Sequence, residues 1–200
     1  MRMRYLLVLV LSLLFNCGIC QTATEINVRF NGFDKLKDKG FVEVFVPDVV
    51  DPFRQQLVIN QNGEFISNLN ITETREVLIN YDDRRITLIV TPGDRITLSL
   101  SLPALLKART ITNFKISGTN SVTNNLILSK GNLINDWIQS SSNAYAAPKT
   151  MDGMAYKEKR INEMNDQLKS LDKLLGDNKI TDVMFISWAK SKIRNASAID

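Results

Sequence analysis

Apolar and polar residues alternate with period two along residues 24 to about 117. Ile26, Val28 and Phe30 are separated by Asn27 and Arg29, and Val42, Val44 and Val46 by Glu43 and Phe45 before Pro47. The cleanest run is Ile96, Leu98, Leu100 and Leu102, interleaved with Thr97, Ser99 and Ser101. Period two places one face on a core and the other in water, which predicts antiparallel strands. Leu57–Ile59, Glu64–Leu69, Val77–Tyr81, Ile86–Val90 and Phe114–Ile116 are further predicted strands. The punctuation agrees. Asn60-Gln61-Asn62-Gly63 and Tyr81-Asp82-Asp83-Arg84 read as hairpin turns, and Thr91-Pro92-Gly93-Asp94 has the Pro-Gly centre of a type II turn. Short strands with turns every eight to twelve residues predict a β-sandwich or open barrel.

From Asn120 the period changes to that of a helix. Val122, Leu126, Leu133 and Trp137 mark a first helix, which leads into a polar loop over Gln139–Thr150. A second helix opens near Asp152 with the stripe Met154, Ile161, Met164, Leu168, Leu171 and Leu175, and Gly176 is its predicted C′ residue. A third runs from about Thr181, with Phe185, Ala189 and Ile193 on one face. Core packing is the expectation for the Met164 stripe and for Trp137 and Trp188. The fold class expected is α+β: an N-terminal antiparallel β-sandwich or open barrel over 21–118, then about three helices over 119–200.

Residues 1–20 read as an address. Arg2 and Arg4 precede an apolar run over Tyr5–Phe15, followed by Asn16-Cys17-Gly18-Ile19-Cys20 and polar Gln21. This is the three-part pattern of a secretory signal peptide. The run is too short for a hydrocarbon core of about 30 Å. Gly18 and Cys20 suit the −3 and −1 positions, so cleavage is expected before Gln21. The alternative is a lipoprotein signal with Cys17 or Cys20 lipidated, although Phe15-Asn16 and Ile19 are poor predecessors for such a Cys. A periplasmic or cell-envelope location follows, with membrane association only in the lipidated case.

Composition narrows the chemistry. The 200 residues include 25 Lys+Arg, 21 Asp+Glu, two Cys and no His, a net charge of +4. Without His there is no Ser-His-Asp triad, no Cys-His dyad and no imidazole metal site. The charge falls to +2 once Arg2 and Arg4 leave, too little to predict nucleic-acid binding. Cys17-x-x-Cys20 lies in the signal region, so it reads as part of the leader rather than a redox pair. Asp48 with Asp51 and Asp82 with Asp83 fall in turns, where Asp is favoured for local hydrogen bonds. Asn70-Ile71-Thr72 and Asn195-Ala196-Ser197 match the glycosylation sequon. The tract Ser140–Tyr145 is a weak binding candidate. No catalytic, cofactor-binding or metal-ligating residue is assigned, and no cofactor is expected.

Two segments carry a resemblance. One is Val90-Thr91-Pro92-Gly93-Asp94-Arg95-Ile96-Thr97-Leu98, a strand, a Pro-Gly-Asp turn and a strand. The other is Phe114-Lys115-Ile116-Ser117-Gly118-Thr119-Asn120, followed by Asn124-Asn125-Leu126. With the helices at Tyr156–Leu175 and Thr181–Arg194, residues 21–200 resemble the N-terminal, DUF4369-type region of the TlpA/ResA-like thiol-disulfide oxidoreductases of Bacteroidetes. In that family a C-terminal thioredoxin-fold domain carries the redox C-x-x-C, for which residues 21–200 offer no counterpart. The resemblance implies a non-catalytic accessory domain that positions the redox domain or recognises its envelope protein substrate. The alternative is a stand-alone envelope binding or structural protein with no redox role.

Overall fold

The structure is a computed structural model that describes residues 23–48, 51–107, 111, 113–142 and 152–197. The signal region, with Cys17 and Cys20, lies outside them, as does the tract Asn143–Tyr145. The β half comprises β1 (Thr24–Asn31), β2 (Phe41–Val46), β3 (Phe53–Val58), β4 (Glu64–Leu69), β5 (Arg75–Tyr81), β6 (Arg84–Val90), β7 (Arg95–Ser101) and β8 (Phe114–Gly118). Two four-stranded sheets result, ordered β4-β1-β7-β8 and β3-β2-β5-β6. Their inner faces share one core. Ile26, Val28, Phe30 and the even-numbered Ile96, Leu98 and Leu100 come from the first sheet. Val42, Val44, Val77, Ile79, Ile86 and Leu88 come from the second. The fold is an α+β protein with a sandwich, as the alternation predicts.

Three details differ from the expectation. First, β1 and β7 pair in parallel, from Glu25 opposite Arg95 to Asn31 opposite Ser101, while every other pair is antiparallel. Alternation sets which face a residue takes, not the direction of its neighbour, and here β2–β6 supply the long crossover a parallel pair requires. Second, β3 starts four residues before the predicted Leu57. It is an edge strand, and its exposed Arg54 and Gln56 give it no apolar rhythm. Third, Leu102 leaves the strand pattern and opens a short helix, α1 (Leu102–Lys107). Pro103 cannot continue the ladder but suits a helix's first turn, and Ser101 Oγ accepts the Ala104 N–H at 3.4 Å.

The helical half is α2 (Ser121–Ser142), α3 (Gly153–Asp177) and α4 (Val183–Ser197). Helix α2 therefore runs into the predicted polar loop: Gln139–Ser142 are helical, and no breaker precedes them. Gly176 lies within α3 rather than beyond it, and Lys179 takes the left-handed turn at φ 52°. The Ile180 N–H then reaches back to the Leu175 carbonyl at 2.9 Å. Helix α4 is capped by Asp182, whose Oδ1 accepts the Phe185 N–H at 2.7 Å and the Thr123 hydroxyl of α2 at 2.9 Å.

A second core joins helices to sheet. Ile89, on the outer face of β6, packs with Ile127, Ile134, Leu171, Phe185, Trp188, Ala189 and Ile193. Lys192 of α4 pairs with Glu76 of β5 at 2.7 Å. Helix α2 touches both cores, giving Leu128 to the first and Ile127 and Ile134 to the second. The predicted α3 stripe is buried only in part. Leu171 is fully buried and Met164 and Leu168 pack against the core, but Met154 and Ile161 are exposed. In their place Arg160 and Gln167 are buried, reaching the Ala196 carbonyl at 2.8 Å and the Trp137 carbonyl at 3.0 Å. Polar side chains one position before Ile161 and Leu168 of the predicted stripe thus tie α3 to its neighbours.

Candidate functional site

The Thr91–Asp94 turn and the Gly118–Asn124 segment meet at one corner. Thr91-Pro92-Gly93-Asp94 forms a type II turn, with Gly93 at φ 81° and the Asp94 N–H on the Thr91 carbonyl at 3.1 Å. Asp94 is buried. Its carboxylate accepts the Thr91 N–H at 2.7 Å, the Thr91 hydroxyl at 2.6 Å and the Asn120 amide at 2.7 Å. Thr24 closes the turn from β1, donating to the Thr91 carbonyl at 3.0 Å and accepting the Gly93 N–H at 3.1 Å. Gly118, at φ 97°, runs so close to β7 that a Cβ would sit 1.9 Å from the Arg95 carbonyl oxygen. Asn120, at φ 55°, then turns the chain into α2.

One turn into α2, Asn124 is fully buried against the outer edge of β6. Its Oδ1 accepts the Ile89 N–H at 2.7 Å and its Nδ2 donates to the Ile89 carbonyl at 2.9 Å. One side chain thus replaces a missing neighbouring strand at the sheet edge. Thr91, Asp94, Gly118, Asn120 and Asn124 together seat the helices on the sandwich, and their chemistry is structural.

The acidic pairs occupy turns. Asp48 pairs with Arg75 at 2.9 Å and accepts the Asp51 N–H at 3.5 Å. Asp82 takes φ 55° in the β5–β6 hairpin, and Asp83 contacts Arg84 Nε at 3.3 Å. Among the described residues no three Asp, Glu, Cys or His side chains converge as metal ligands. Nor, among them, is any helix long and apolar enough to cross a membrane. Tyr81 is buried against Phe30 at 5.0 Å between centroids. Burial pushes its phenol above the ordinary value and Asp38 adds to the rise, while the Lys39 backbone bond opposes it.

The candidate binding surface lies where the helical cover of the second sheet stops. A cleft of about 460 Å³ opens between the β5–β6 hairpin and α2. Its floor is apolar, from Leu105, Ile127 and Trp188, and the buried indole Nε1 of Trp188 has no hydrogen-bond partner. Arg84 and Arg85 form one wall, and Asn132, Asn135, Asp136 and Gln139 form the other. Arg84 is fixed by a bond to the Leu106 carbonyl at 2.9 Å. Beyond Arg85 the recess continues, about 680 Å³ in volume, over the bare end of the sheet. There Glu43 accepts from Asn80 at 3.0 Å, and Asn80 from Arg85 at 3.2 Å, in a ladder across three strands. The arrangement offers amide donors and acceptors, charges of both signs and an apolar floor. That chemistry suits a polypeptide segment.

The sequence reading assigned nothing to this cleft. Asn132, Asn135, Asp136 and Gln139 recur at helical spacing, but a polar stripe of that kind reads as a solvated face until the hairpin is seen opposite. Comparison with family models, curated proteins and solved structures returns no match.

Proposed function

We propose that this chain is a non-catalytic accessory domain of a cell-envelope thiol-disulfide oxidoreductase of the TlpA/ResA-like type. In this reading it is exported through its first twenty residues, and it positions the redox domain or recognises its protein substrate. The observation that supports the reading is the corner. Residues that resemble the family motif at two separate places in the chain, Thr91–Asp94 and Gly118–Asn124, are hydrogen-bonded to one another. A motif whose halves meet in space has a structural reason to recur as a unit. The cleft between hairpin and α2 supplies the recognition surface that the role needs.

The reading frame after codon 200, together with the intact mass of the protein from the envelope fraction, tests the proposal. A frame continuing into a thioredoxin-fold domain with a W-C-x-x-C-like motif supports it. A stop codon at that point favours a stand-alone envelope binding protein that uses the same cleft. The mass also reports the leader: an N-terminus at Gln21 supports export by cleavage, and a diacylglycerol adduct on Cys17 or Cys20 supports a lipoprotein.

A further inference from the structure

We infer that the groove between the start of α3 and the end of α4 binds an anionic amphiphile, an acyl chain with a negatively charged head. The inference is independent of the proposed redox role and of the cleft at the hairpin. The groove has a volume of about 500 Å³, within the range of small-molecule sites. Its apolar part comes from Tyr156, Ile161 and Met164 of α3. Ile161 belongs to the stripe that helical periodicity assigns to a core, yet it is 45% exposed, and Met154, earlier on the same stripe, is 72% exposed. The stripe thus runs out of the second core, which Met164 still touches, and into the groove.

Charge selects the occupant. Lys157 and Arg160 of α3 and Arg194 of α4 line the groove, and among the described residues no Asp or Glu does. Arg160 is already matched, by Glu163 at 3.2 Å and the Ala196 carbonyl at 2.8 Å. Lys157 and Arg194 are exposed and form no ion pair among the described residues. The helix ends do not set the sign. Helix α3 begins at Gly153 and α4 ends at Ser197, both at the groove, so a positive and a negative dipole end oppose each other. The field therefore comes from two unpaired cations, one on each helix. Donors and acceptors narrow the head group. Ammonium and guanidinium groups only donate, and among the described residues no carboxylate or amide side chain lines the groove. An anionic head, which only accepts, fits this lining. An extended peptide would bring an N–H donor at each residue with no such side chain to receive it. A bare anion would leave Ile161 uncovered, so the head carries an acyl chain. The groove is concave and built from two helices, which suits one such chain rather than a flat lipid surface.

Calorimetric titration of residues 21–200 with dodecanoate, kept below the concentration at which it forms micelles, tests the inference; this span keeps all the described strands and helices. One dodecanoate per chain is expected to bind. Acetate has the head without the chain and octyl glucoside the chain without the charge, so both should bind more weakly. Lys157→Glu and Arg194→Glu should each weaken dodecanoate by about tenfold, the loss of one charge-assisted hydrogen bond. Ile161→Asp should weaken it by at least as much, by placing a carboxylate where the acyl chain lies. Lys115→Glu makes the same change of charge on the outer face of β8 and should leave the affinity unchanged. All four positions are exposed, so the urea midpoints should stay at that of the parent. No binding by the parent, equal binding of acetate or octyl glucoside, an equal loss in Lys115→Glu, or an unchanged affinity in Ile161→Asp would each overturn the inference. So would binding that emerges only once residues 198–200 are removed, which would assign the groove to the chain's own end.

Discussion

Asn124 carries a prediction that separates a structural corner from ordinary helix packing. Its amide satisfies both backbone groups of Ile89 in a fully buried position. Asn124→Ala removes both partners at once and leaves a buried N–H and a buried C=O facing apolar surface. Each orphaned group costs about 1–3 kcal/mol, so a loss of about 2–5 kcal/mol is expected from the roughly 5–15 kcal/mol a domain has. With a urea slope of about 2 kcal/mol/M the midpoint should fall by about 1–2.5 M. Asn125→Ala, at the exposed neighbouring position, should stay within about 0.5 kcal/mol of the parent. Asn124→Asp adds a direction with pH. The Oδ1 acceptor survives, but at neutral pH the second oxygen is charged, buried and turned toward the Ile89 carbonyl now bonded at 2.9 Å. Burial and that carbonyl both favour the protonated acid, so its folded pKa lies above the unfolded value of about 3.9. Stability from the protonated form is therefore complete below about 3.9 and is lost as pH rises through the folded pKa. Relative to the parent, Asn124→Asp should recover on acidification, whereas Asn124→Ala should not. Urea melts at two pH values, with hydrogen exchange at the Ile89 amide, provide the readout. If Asn124→Ala melts with Asn125→Ala, the side chain does not hold the helices to the sheet and the account of the corner fails.

Four further outcomes follow from the geometry. Leu98→Asp puts an unpaired carboxylate in the core and should remove several kcal/mol, while Thr97→Asp on the exposed face should be tolerated; urea melts in the reverse order would show the β7 register to be off by one. Gly118→Ala should lose at least about 2 kcal/mol, because its Cβ would meet the Arg95 carbonyl and its φ is 97°; an unchanged melting midpoint would refute the close approach. Leu171→Ala should cost about 2–5 kcal/mol and Ile161→Ala less than about 1 kcal/mol, and equal midpoints would mean that α3 buries a different face. Tyr81 has a phenol pKa raised by burial, so the stability it contributes is complete below about 10 and lost as pH rises beyond; Tyr81→Phe should flatten that alkaline loss, and a Tyr81 phenolate forming at the ordinary value would contradict it.

What the sequence disclosed, and what it withheld, divides along a physical line. Period-two alternation reports which side chains are buried, and Ile96, Leu98 and Leu100 are buried as it requires. It carries no information on strand direction, so the parallel β1–β7 pair was invisible. Nor does it register an edge strand such as β3, whose Arg54 and Gln56 face water at no penalty. Turn chemistry was legible because it is local: Pro92 and Gly93 need no distant partner to bend the chain. The Asp94–Asn120 bond and the Asn124–Ile89 bridge join residues 26 and 35 positions apart. No window along the chain distinguishes such a pair from two polar residues in solvent.

The same limit explains the cleft and bears on function. Arg84 and Arg85 belong to a hairpin and Asn132, Asn135 and Asp136 to a helix, so each group taken alone is a solvated surface. They become a recess only because Asn124 fixes α2 along the edge of β6 and Asp182 ties the start of α4 to Thr123 of α2. The corner residues Thr91, Asp94, Gly118, Asn120 and Asn124 therefore do not line the recess. They set the distance between its walls. A binding role for this surface makes the corner and the cleft energetically coupled: a ligand bridging hairpin and helix must stabilise the Asn124–Ile89 contact, and loss of that contact must weaken the ligand by the same free energy.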